Sequence, residues 1–395
     1  MDFAIPAGCL ALMERLAAHG YPAHLVGGCV RDLCREVEPH DYDLTTPASP
    51  AEMKRAFDGF RVIETGIAHG TLTVLSDGAS YEVTTYRVDG DYSDGRHPDG
   101  VTFTESLEED LRRRDFTVNA MAYSPDTGLF DPFDGQADLA ARVIRAVGDP
   151  DKRFSEDALR ILRALRFAAT LGFRIEGNTA AALIRLAPTV RRISPERIRE
   201  ELFKLLAGSF SGDVLAEYRD ALFAAVPALA PLGDRYSEAA RAAARLSSDP
   251  VLALAALSFL LGPEATAALF RSLKTDKKSE RRASLAVAAL SAGLPATLSA
   301  AGLFLVSYEE PTARDAIALA AAFGRSTDHV ERALSDFAST GRPTALADLA
   351  IRGDDLAFIP ARKRGETLRR LLTLAAAGEV ENDREALLAR AQNNG

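Results

Sequence analysis

The most informative part of this 395-residue chain reads LVGGCVRDL at residues 25–33 and PHDYDL at residues 39–44. The short apolar run before Gly27 and Gly28 predicts a strand, and two glycines let the backbone approach an anion closely. A helix that begins after them adds the positive end of its dipole. Arg31, three residues into that helix, can bind a phosphate with its guanidinium. The stretch predicts a phosphate-binding turn, although two glycines alone are more typical of a plain turn.

Two carboxylates, Asp41 and Asp43, follow this turn two residues apart. On a strand such residues project from one face, so their charges repel unless a cation lies between them. Mg²⁺ prefers oxygen ligands and shares them with substrate phosphates. Two such ions can activate an attacking hydroxyl and neutralise a leaving pyrophosphate. We therefore predict a Mg²⁺ site at Asp41 and Asp43; the alternative is a solvated loop with two acids.

A third carboxylate, Glu82, lies on a strand predicted at residues 81–86, which could pair beside the strand of Asp43. It is a candidate catalytic residue, and an ordinary surface position is the alternative. The strand forms a predicted hairpin with residues 71–75, because Ser-Asp-Gly-Ala between them is a turn sequence. The polar segment 87–100, with four Asp and three Gly, predicts a mobile loop.

The composition limits the class of protein. Hydrophobic residues make up 47% and charged residues 26%, which excludes a disordered chain. The net charge of −9 excludes a general basic coat, so any RNA site must be a local patch. Three cysteines without a CxxC spacing favour a reducing, cytoplasmic location. We expect no signal peptide and no membrane-spanning segment.

Residues 156–168 carry apolar side chains at helical spacing, with polar side chains three residues apart. At about 100° per residue, Asp157, Arg160 and Arg163 span a stripe of about 120° on one helix, and Arg166 lies half-way round. An amphipathic helix with its polar face in water is one interpretation. The other is base recognition: Asp157 accepts from the amino group of cytosine or adenine, and Arg160 donates to the ring nitrogen. Uracil and guanine present the reverse pattern.

Several motifs in series resemble the class II nucleotidyltransferases, which comprise tRNA CCA-adding enzymes and bacterial poly(A) polymerases. The matching stretches are GGCVRD and DYDL, LRRRDFTVNAMA at 111–122, DPFDG at 131–135, RFSEDALRILRALRFA at 153–168 and ISPERI at 193–198. Together they cover about residues 22–205 in order.

The resemblance implies a fold and a site. We expect an α/β nucleotidyltransferase head, a small mixed β-sheet with helices, followed by an all-α neck, body and tail. The predicted domains are a head at 1–140, a neck with base recognition at 141–210, a body at 211–340 and an RNA-binding tail at 341–395. The resemblance further implies that Arg114 and Asp115 contact the nucleotide's triphosphate and sugar, that Arg163 assists base selection, and that Arg166 contacts the nucleotide.

The predicted function is template-independent, Mg²⁺-dependent addition of CCA to tRNA 3′ ends from CTP and ATP. A poly(A) polymerase, a CC-only or A-only enzyme, and an inactive RNA-binding scaffold are the alternatives. For tRNA binding, residues 142–204 carry 14 basic and 8 acidic side chains, a difference of +6. Further basic clusters lie at 271–282 and 362–370, and each alone is also typical of a solvated face. No stable protein partner is expected.

Overall fold

The computed structural model describes residues 3–64, 66–90 and 100–393. It divides into two compact units, residues 1–226 and 227–395. The first unit holds the mixed α/β part, and the second is helical. The finer boundaries at residues 140, 210 and 340 stay predictions.

The strands all lie in the first unit, within the described ranges. They are β1 (His24–Val26), β2 (Asp43–Thr46), β3 (Arg61–Ile63), β4 (Thr71–Ser76), β5 (Ala79–Thr85), β6 (Arg87–Asp89), β7 (Val101–Phe103), β8 (Ala122–Ser124), β9 (Gly128–Phe130), β10 (Val143–Ile144) and β11 (Arg174–Ile175). Seven form one mixed sheet in the order β3-β4-β5-β2-β1-β8-β9. In it β2 and β5 run parallel, whereas the other neighbours are antiparallel.

Helices make up most of the remaining chain. In the first unit they are α1 (Ala7–Ala18), α2 (Gly28–Cys34), α3 (Pro50–Ala56), α4 (Leu107–Arg112), α5 (Gly135–Ala141), α6 (Pro150–Glu156), α7 (Leu159–Leu171), α8 (Gly177–Leu186), α9 (Pro195–Leu206), α10 (Ser211–Glu217) and α11 (Arg219–Ala225). In the second unit they are α12 (Tyr236–Ala244), α13 (Pro250–Phe259), α14 (Pro263–Ser272), α15 (Lys277–Ala292), α16 (Leu298–Ala322), α17 (Asp328–Ser339), α18 (Ala361–Ala377) and α19 (Arg384–Gln392). Over the described parts of the chain, no helix is long and apolar enough to cross a membrane.

The core of the head fixes the strands that carry the site. Buried and half-buried residues alternate along β4, as a strand covered on one face requires. Leu25 of β1, Leu44 of β2 and Val83 of β5 are fully buried in one cluster, against α1 and α3. Because these central strands are immobilised by packing, the residues at their ends are held in fixed positions.

The α/β head followed by helices is confirmed, and so is the predicted hairpin, which is β4–β5 with Val74 opposite Tyr81. Two local features differ from the prediction. A two-residue parallel pair, β10–β11, lies beyond residue 140, so the neck is not purely helical. The expected loop 87–100 begins as strand, because β6 pairs with β7; residues 91–99 lie outside the described ranges.

Candidate active site

A cavity of about 550 Å³ in the first unit brings the predicted site residues together. Its predicted lining residues are Gly27, Gly28, Arg31, Asp41, Asp43, Arg114, Asp115, Asp157, Arg160, Arg163 and Arg166. Glu82 is the predicted residue that does not line it. The sequence did not single out five further lining residues: Arg113, Asn119, Leu159, Phe167 and Arg197.

The glycine turn forms because β1 ends at Val26 and α2 begins at Gly28. Gly27 has φ = +76°, a conformation that favours glycine. A Cβ on Gly27 would lie 3.0 Å from Nη1 of Arg114. A side chain here would therefore strain the backbone and crowd that guanidinium. Arg31 of α2 is buried, pairs with Asp32 at 2.8 Å and donates from Nη1 to Asn119 Oδ1 at 2.8 Å.

The acidic side chains meet where β2 begins. Asp43 is the first residue of β2 and lies in register with Glu82 of the parallel strand β5. Asp41 precedes the strand, so the expectation that both aspartates project from one strand face was wrong, although both line the cavity. Burial, then the charges of Asp41 and Glu82, raise the pKa of Asp43 to about 6, while Arg114 lowers it.

This acidic cluster suits a divalent cation that also binds phosphate oxygens. Burial, and after it repulsion by Asp41 and Glu82, raises the pKa of Asp43, and a cation would relieve that repulsion. Mg²⁺ commonly uses only one or two carboxylates together with substrate phosphates. Among the described residues no three His, Cys, Asp or Glu side chains converge closely enough to hold a metal ion by themselves. Asp41 and Asp43 therefore fit as two ligands of a site that the nucleotide completes.

Asp115 lies at the centre of a hydrogen-bond network. Its Oδ2 accepts from Nε of Arg163 at 2.7 Å, and its Oδ1 accepts from Nδ2 of Asn119 at 3.1 Å. Burial raises the pKa of Asp115, but Arg163 and Asn119 outweigh it and hold the pKa at about 2. Since Asn119 also accepts from Arg31, the network connects the helix after the glycine turn with α7.

The helix predicted over residues 156–168 is interrupted. Asp157 has extended backbone angles, φ = −140° and ψ = 104°, between the end of α6 and the start of α7. The stripe on one helix therefore holds for Arg160 and Arg163 of α7 and was wrong for Asp157. The Asp157 carboxylate accepts from the N–H of Leu159 at 2.9 Å and from Nη2 of Arg197, on α9, at 2.8 Å.

Arg160 is buried and held by protein acceptors. Its Nη1 donates to Glu156 Oε2 at 2.6 Å and to the carbonyl of Arg153 at 2.9 Å, and its Nη2 donates to the carbonyl of Arg113 at 3.1 Å. These bonds join α7 to the residues after α4 and fix the guanidinium at the cavity wall.

Helix α9 supplies Arg197 to the cavity wall and Glu201 to two arginines of α7, which the sequence analysis missed. This helix begins at Pro195, directly after Ser194. Arg197 pairs with Asp157, and Glu201 lies 2.8 Å from Nε of Arg166 and 3.8 Å from Nη1 of Arg163. The spacing of Arg197 and Glu201, one helical turn apart on one face, was the available signal.

Phe167, also missed, has three guanidiniums over its ring. The Cζ atoms of Arg31, Arg163 and Arg166 lie 5.3, 5.4 and 4.0 Å from the ring centroid. Attraction to the ring face offsets part of their mutual repulsion. The signal in the sequence was an aromatic residue directly after Arg166, but an apolar helix position is typical of a core residue.

Comparisons with known proteins agree with this arrangement. Two family models match: "Poly A polymerase head domain" at residues 23–145, and "Probable RNA and SrmB- binding site of polymerase A" at residues 172–230. The CCA-adding enzyme of Limosilactobacillus fermentum is 36% identical over 389 residues, 96% of this chain and 95% of that protein. The CCA-adding enzyme of Geobacillus kaustophilus is 37% identical over 386 residues, with the same coverage of both chains.

Solved structures extend the match to the fold. The Bacillus stearothermophilus CCA-adding enzyme in complex with CTP is 32% identical, with a TM-score of 0.80 over 98% of this chain and 96% of that one. The Thermotoga maritima enzyme complexed with tRNA is 20% identical, with a TM-score of 0.68 over 99% and 96%, and shows the fold alone. With full-length relatives above 30% identity, the chain belongs to the family of CCA-adding enzymes.

Proposed function

We propose that the cavity of the first unit binds CTP and ATP for addition to the 3′ end of tRNA. As a member of its family, the chain is a nucleotidyltransferase that adds CCA to tRNA. The observation that supports this site is the meeting in one cavity of the acidic residues Asp41 and Asp43 with the arginines of α7. Nucleotidyl transfer needs both, because it joins a polyanion to an attacking hydroxyl.

In the reaction, the 3′-hydroxyl oxygen of the RNA bonds to the α-phosphorus of the nucleotide. The bond from that phosphorus to its bridging oxygen breaks, pyrophosphate leaves with the electron pair, and the hydroxyl proton passes to solvent. Arg31 and Arg114 bind the triphosphate above the Gly27 turn. Catalysis by these residues consists of positioning and charge neutralisation.

The sugar and base are recognised by the network around Asp115 and Asp157. Asp115 is ionised, and Arg163, Asn119 and the N–H of Phe116 already donate to its oxygens. It accepts from a ribose 2′-hydroxyl in exchange for one of these donors. Asp157, oriented by Arg197, accepts from the amino group that cytosine and adenine share. A base that presents an acceptor there would face a carboxylate and be rejected.

Asp41 and Asp43 would hold a divalent cation, which we propose is Mg²⁺, with Glu82 as a candidate third carboxylate. When bound, the cation would lower the pKa of the attacking hydroxyl and neutralise charge on the phosphates. The choice of Mg²⁺ is supported by carboxylate ligands that leave positions for phosphate oxygens.

We further propose a cytoplasmic location, supported by the three cysteines, all of which are free thiols. For tRNA contact, the cluster at 362–370 is the strongest candidate. Arg362, Lys363, Arg369 and Arg370 are exposed on α18. In the cluster at 271–282, by contrast, Arg271 pairs with Glu280, and Arg282 pairs with Asp249 and Asp315.

The decisive experiment offers the purified protein a tRNA that lacks its 3′ CCA, in Mg²⁺, with CTP, ATP, both or neither. We expect two C residues from CTP alone, and C, C, A followed by a stop from both. Unlimited addition of A would instead identify a poly(A) polymerase, and a product that ends after CC, or A added only to a CC end, would identify a specialist. Asp41→Ala should abolish addition, whereas the exposed control Asp58→Asn should retain it.

A further inference from the structure

Asp110 is a fully buried carboxylate that lies outside the cavity and yet binds two of its arginines. Its Oδ1 accepts from Arg113 at 3.0 Å (Nε) and 2.7 Å (Nη2). Its Oδ2 accepts from Nη2 of Arg114 at 3.4 Å. These bonds span one turn at the end of α4, so a single carboxylate holds two adjacent guanidiniums.

The same carboxylate is tied to the strands of the head. Its Oδ1 accepts the backbone N–H of Arg87, the first residue of β6, at 3.3 Å. Its Oδ2 lies 3.4 Å from the hydroxyl of Thr45, two residues after Asp43 on β2. Burial raises the pKa of Asp110, but Arg113 and Arg114 outweigh it, so the pKa lies below its ordinary value. Asp110 is therefore an anion anchored to the strand that carries Asp43.

Arg114 is the cavity residue whose position matters most here. Its Nη1 lies 3.0 Å from the place of a Cβ on Gly27, and its charge lowers the pKa of Asp43. Arg114 thus lies between the glycine turn and the acidic cluster. A free arginine side chain loses rotamer entropy when it is fixed in one geometry. An arginine that is already held in place does not lose it on binding a nucleotide.

We propose that Asp110 is a positioning residue for nucleotide addition: it holds Arg114 beside the Gly27 turn, where the guanidinium meets the triphosphate. The inference rests on the proposed function of the cavity. Two arginines share one aspartate, so a net charge of +1 remains on this group for the phosphates. Asp110 itself touches no substrate.

The test uses Asp110→Asn in the full chain, which keeps the side-chain volume and removes the charge. We expect the KM for CTP and for ATP to rise about tenfold, the scale of a lost hydrogen bond to a charged group. The Kd for inorganic pyrophosphate, measured by calorimetry without tRNA, should rise by a similar factor. The Kd for cytidine, which has no phosphate, should not change.

A double-mutant cycle shows whether Asp110 acts through Arg114. In the Arg114→Lys background, Asp110→Asn should raise the pyrophosphate Kd less than twofold, because its partner is already altered. Asp138→Asn is the matched control, since Asp138 is buried and bonded to Arg145 and Thr117 but does not line the cavity. It should lower the thermal midpoint and leave the pyrophosphate Kd unchanged.

If Asp110→Asn lowers the thermal midpoint as the control does, without weakening pyrophosphate binding, the proposal is overturned. If Asp110→Asn does not fold, Asp110→Glu retains the charge and displaces it by one methylene. A wild-type pyrophosphate Kd in that variant would also overturn the proposal, and an increase would support it. Failure of the wild-type chain to extend tRNA would refute the proposed function. The role of Asp110 is tested separately, by the calorimetric Kd for pyrophosphate.

Discussion

The acidic and the basic side chains of the cavity are held in different ways. Each of its principal arginines has a carboxylate partner: Arg31 with Asp32, Arg114 with Asp110, Arg160 with Glu156, Arg163 with Asp115, Arg166 with Glu201 and Arg197 with Asp157. Asp41, Asp43 and Glu82 have no ion-pair partner in the part of the chain that the structure describes. Burial, and after it the charges of Asp41 and Glu82, raises the pKa of Asp43.

This difference separates a preorganised part of the site from an incomplete one. The paired arginines are oriented before any nucleotide arrives, which lowers the entropic cost of binding. Asp43 and Glu82 are held by the backbone of β2 and β5, and Asp41 lies two residues before Asp43. The three acidic residues repel each other until a cation is present. Substitutions on the acidic side should therefore affect chemistry, whereas substitutions on the basic side should affect selectivity and stability.

The largest effect is expected from Asp43→Asn. Losing a charged oxygen ligand should reduce CMP incorporation about 10³-fold, equivalent to about 4 kcal/mol of transition-state stabilisation. Initial rates on tRNA without CCA in Mg²⁺ measure it. Glu82→Gln should cost tenfold or less, because Glu82 is exposed and does not line the cavity. Equal losses in the two variants would make Glu82 a third ligand, and an Asp43→Asn rate above a tenth of wild type would refute the metal assignment.

The acidic side was the part that local sequence patterns predicted well. Strand alternation and a turn sequence determined β4–β5, and two glycines after an apolar run determined the turn at Gly27. The register that sets Glu82 beside Asp43 depends on a parallel pairing that no local pattern contains. The sequence therefore identified these residues, but it could not establish that their two strands pair.

The basic side was predicted only in part, because several of its partners are remote in sequence. Arg163 binds Asp115, and Arg197 binds Asp157, across turns and helices that periodicity does not relate. The break at Asp157 was missed because apolar spacing continues through it. Its carboxylate caps the N–H of Leu159, and that local bond competes with a continuous helix.

Asp115→Asn tests how much the Asp115 carboxylate contributes to the free energy of unfolding. The folded pKa of about 2 lies below the unfolded value near 4, so the carboxylate stabilises the fold above pH 4 and loses this contribution as pH falls toward 2. The contribution is about 2 kcal/mol. The free energy of unfolding, measured with urea, should fall less between pH 6 and pH 3 in Asp115→Asn than in the exposed control Asp126→Asn. An equal fall in the two variants would mean that the Asp115–Arg163 pair adds no stability.

Arg197→Met tests whether a paired arginine orients a base-reading carboxylate. Without its bond to Arg197, Asp157 loses its fixed orientation, and discrimination of CTP over UTP should fall about tenfold. The ratio of kcat/KM for the two nucleotides is the measurement. Lys204→Met, exposed on the same helix, is the control and should keep the ratio of the wild-type chain. A uniform loss on both nucleotides would assign Arg197 to general stability instead of base choice.

The smallest expected effect concerns the second unit, where arginines with and without a carboxylate partner can also be compared. Arg369 and Arg370 are exposed on α18 and have no ion-pair partner in the described residues, whereas Arg384 pairs with Asp355 at 2.6 Å. An unpaired arginine can neutralise a phosphate without giving up a protein partner. The double variant Arg369→Ala/Arg370→Ala should therefore weaken tRNA binding about threefold and reduce the slope of log Kd against log salt by about 1 to 2. Arg384→Ala should change neither, and an unchanged slope in the double variant would remove α18 from the RNA contact surface.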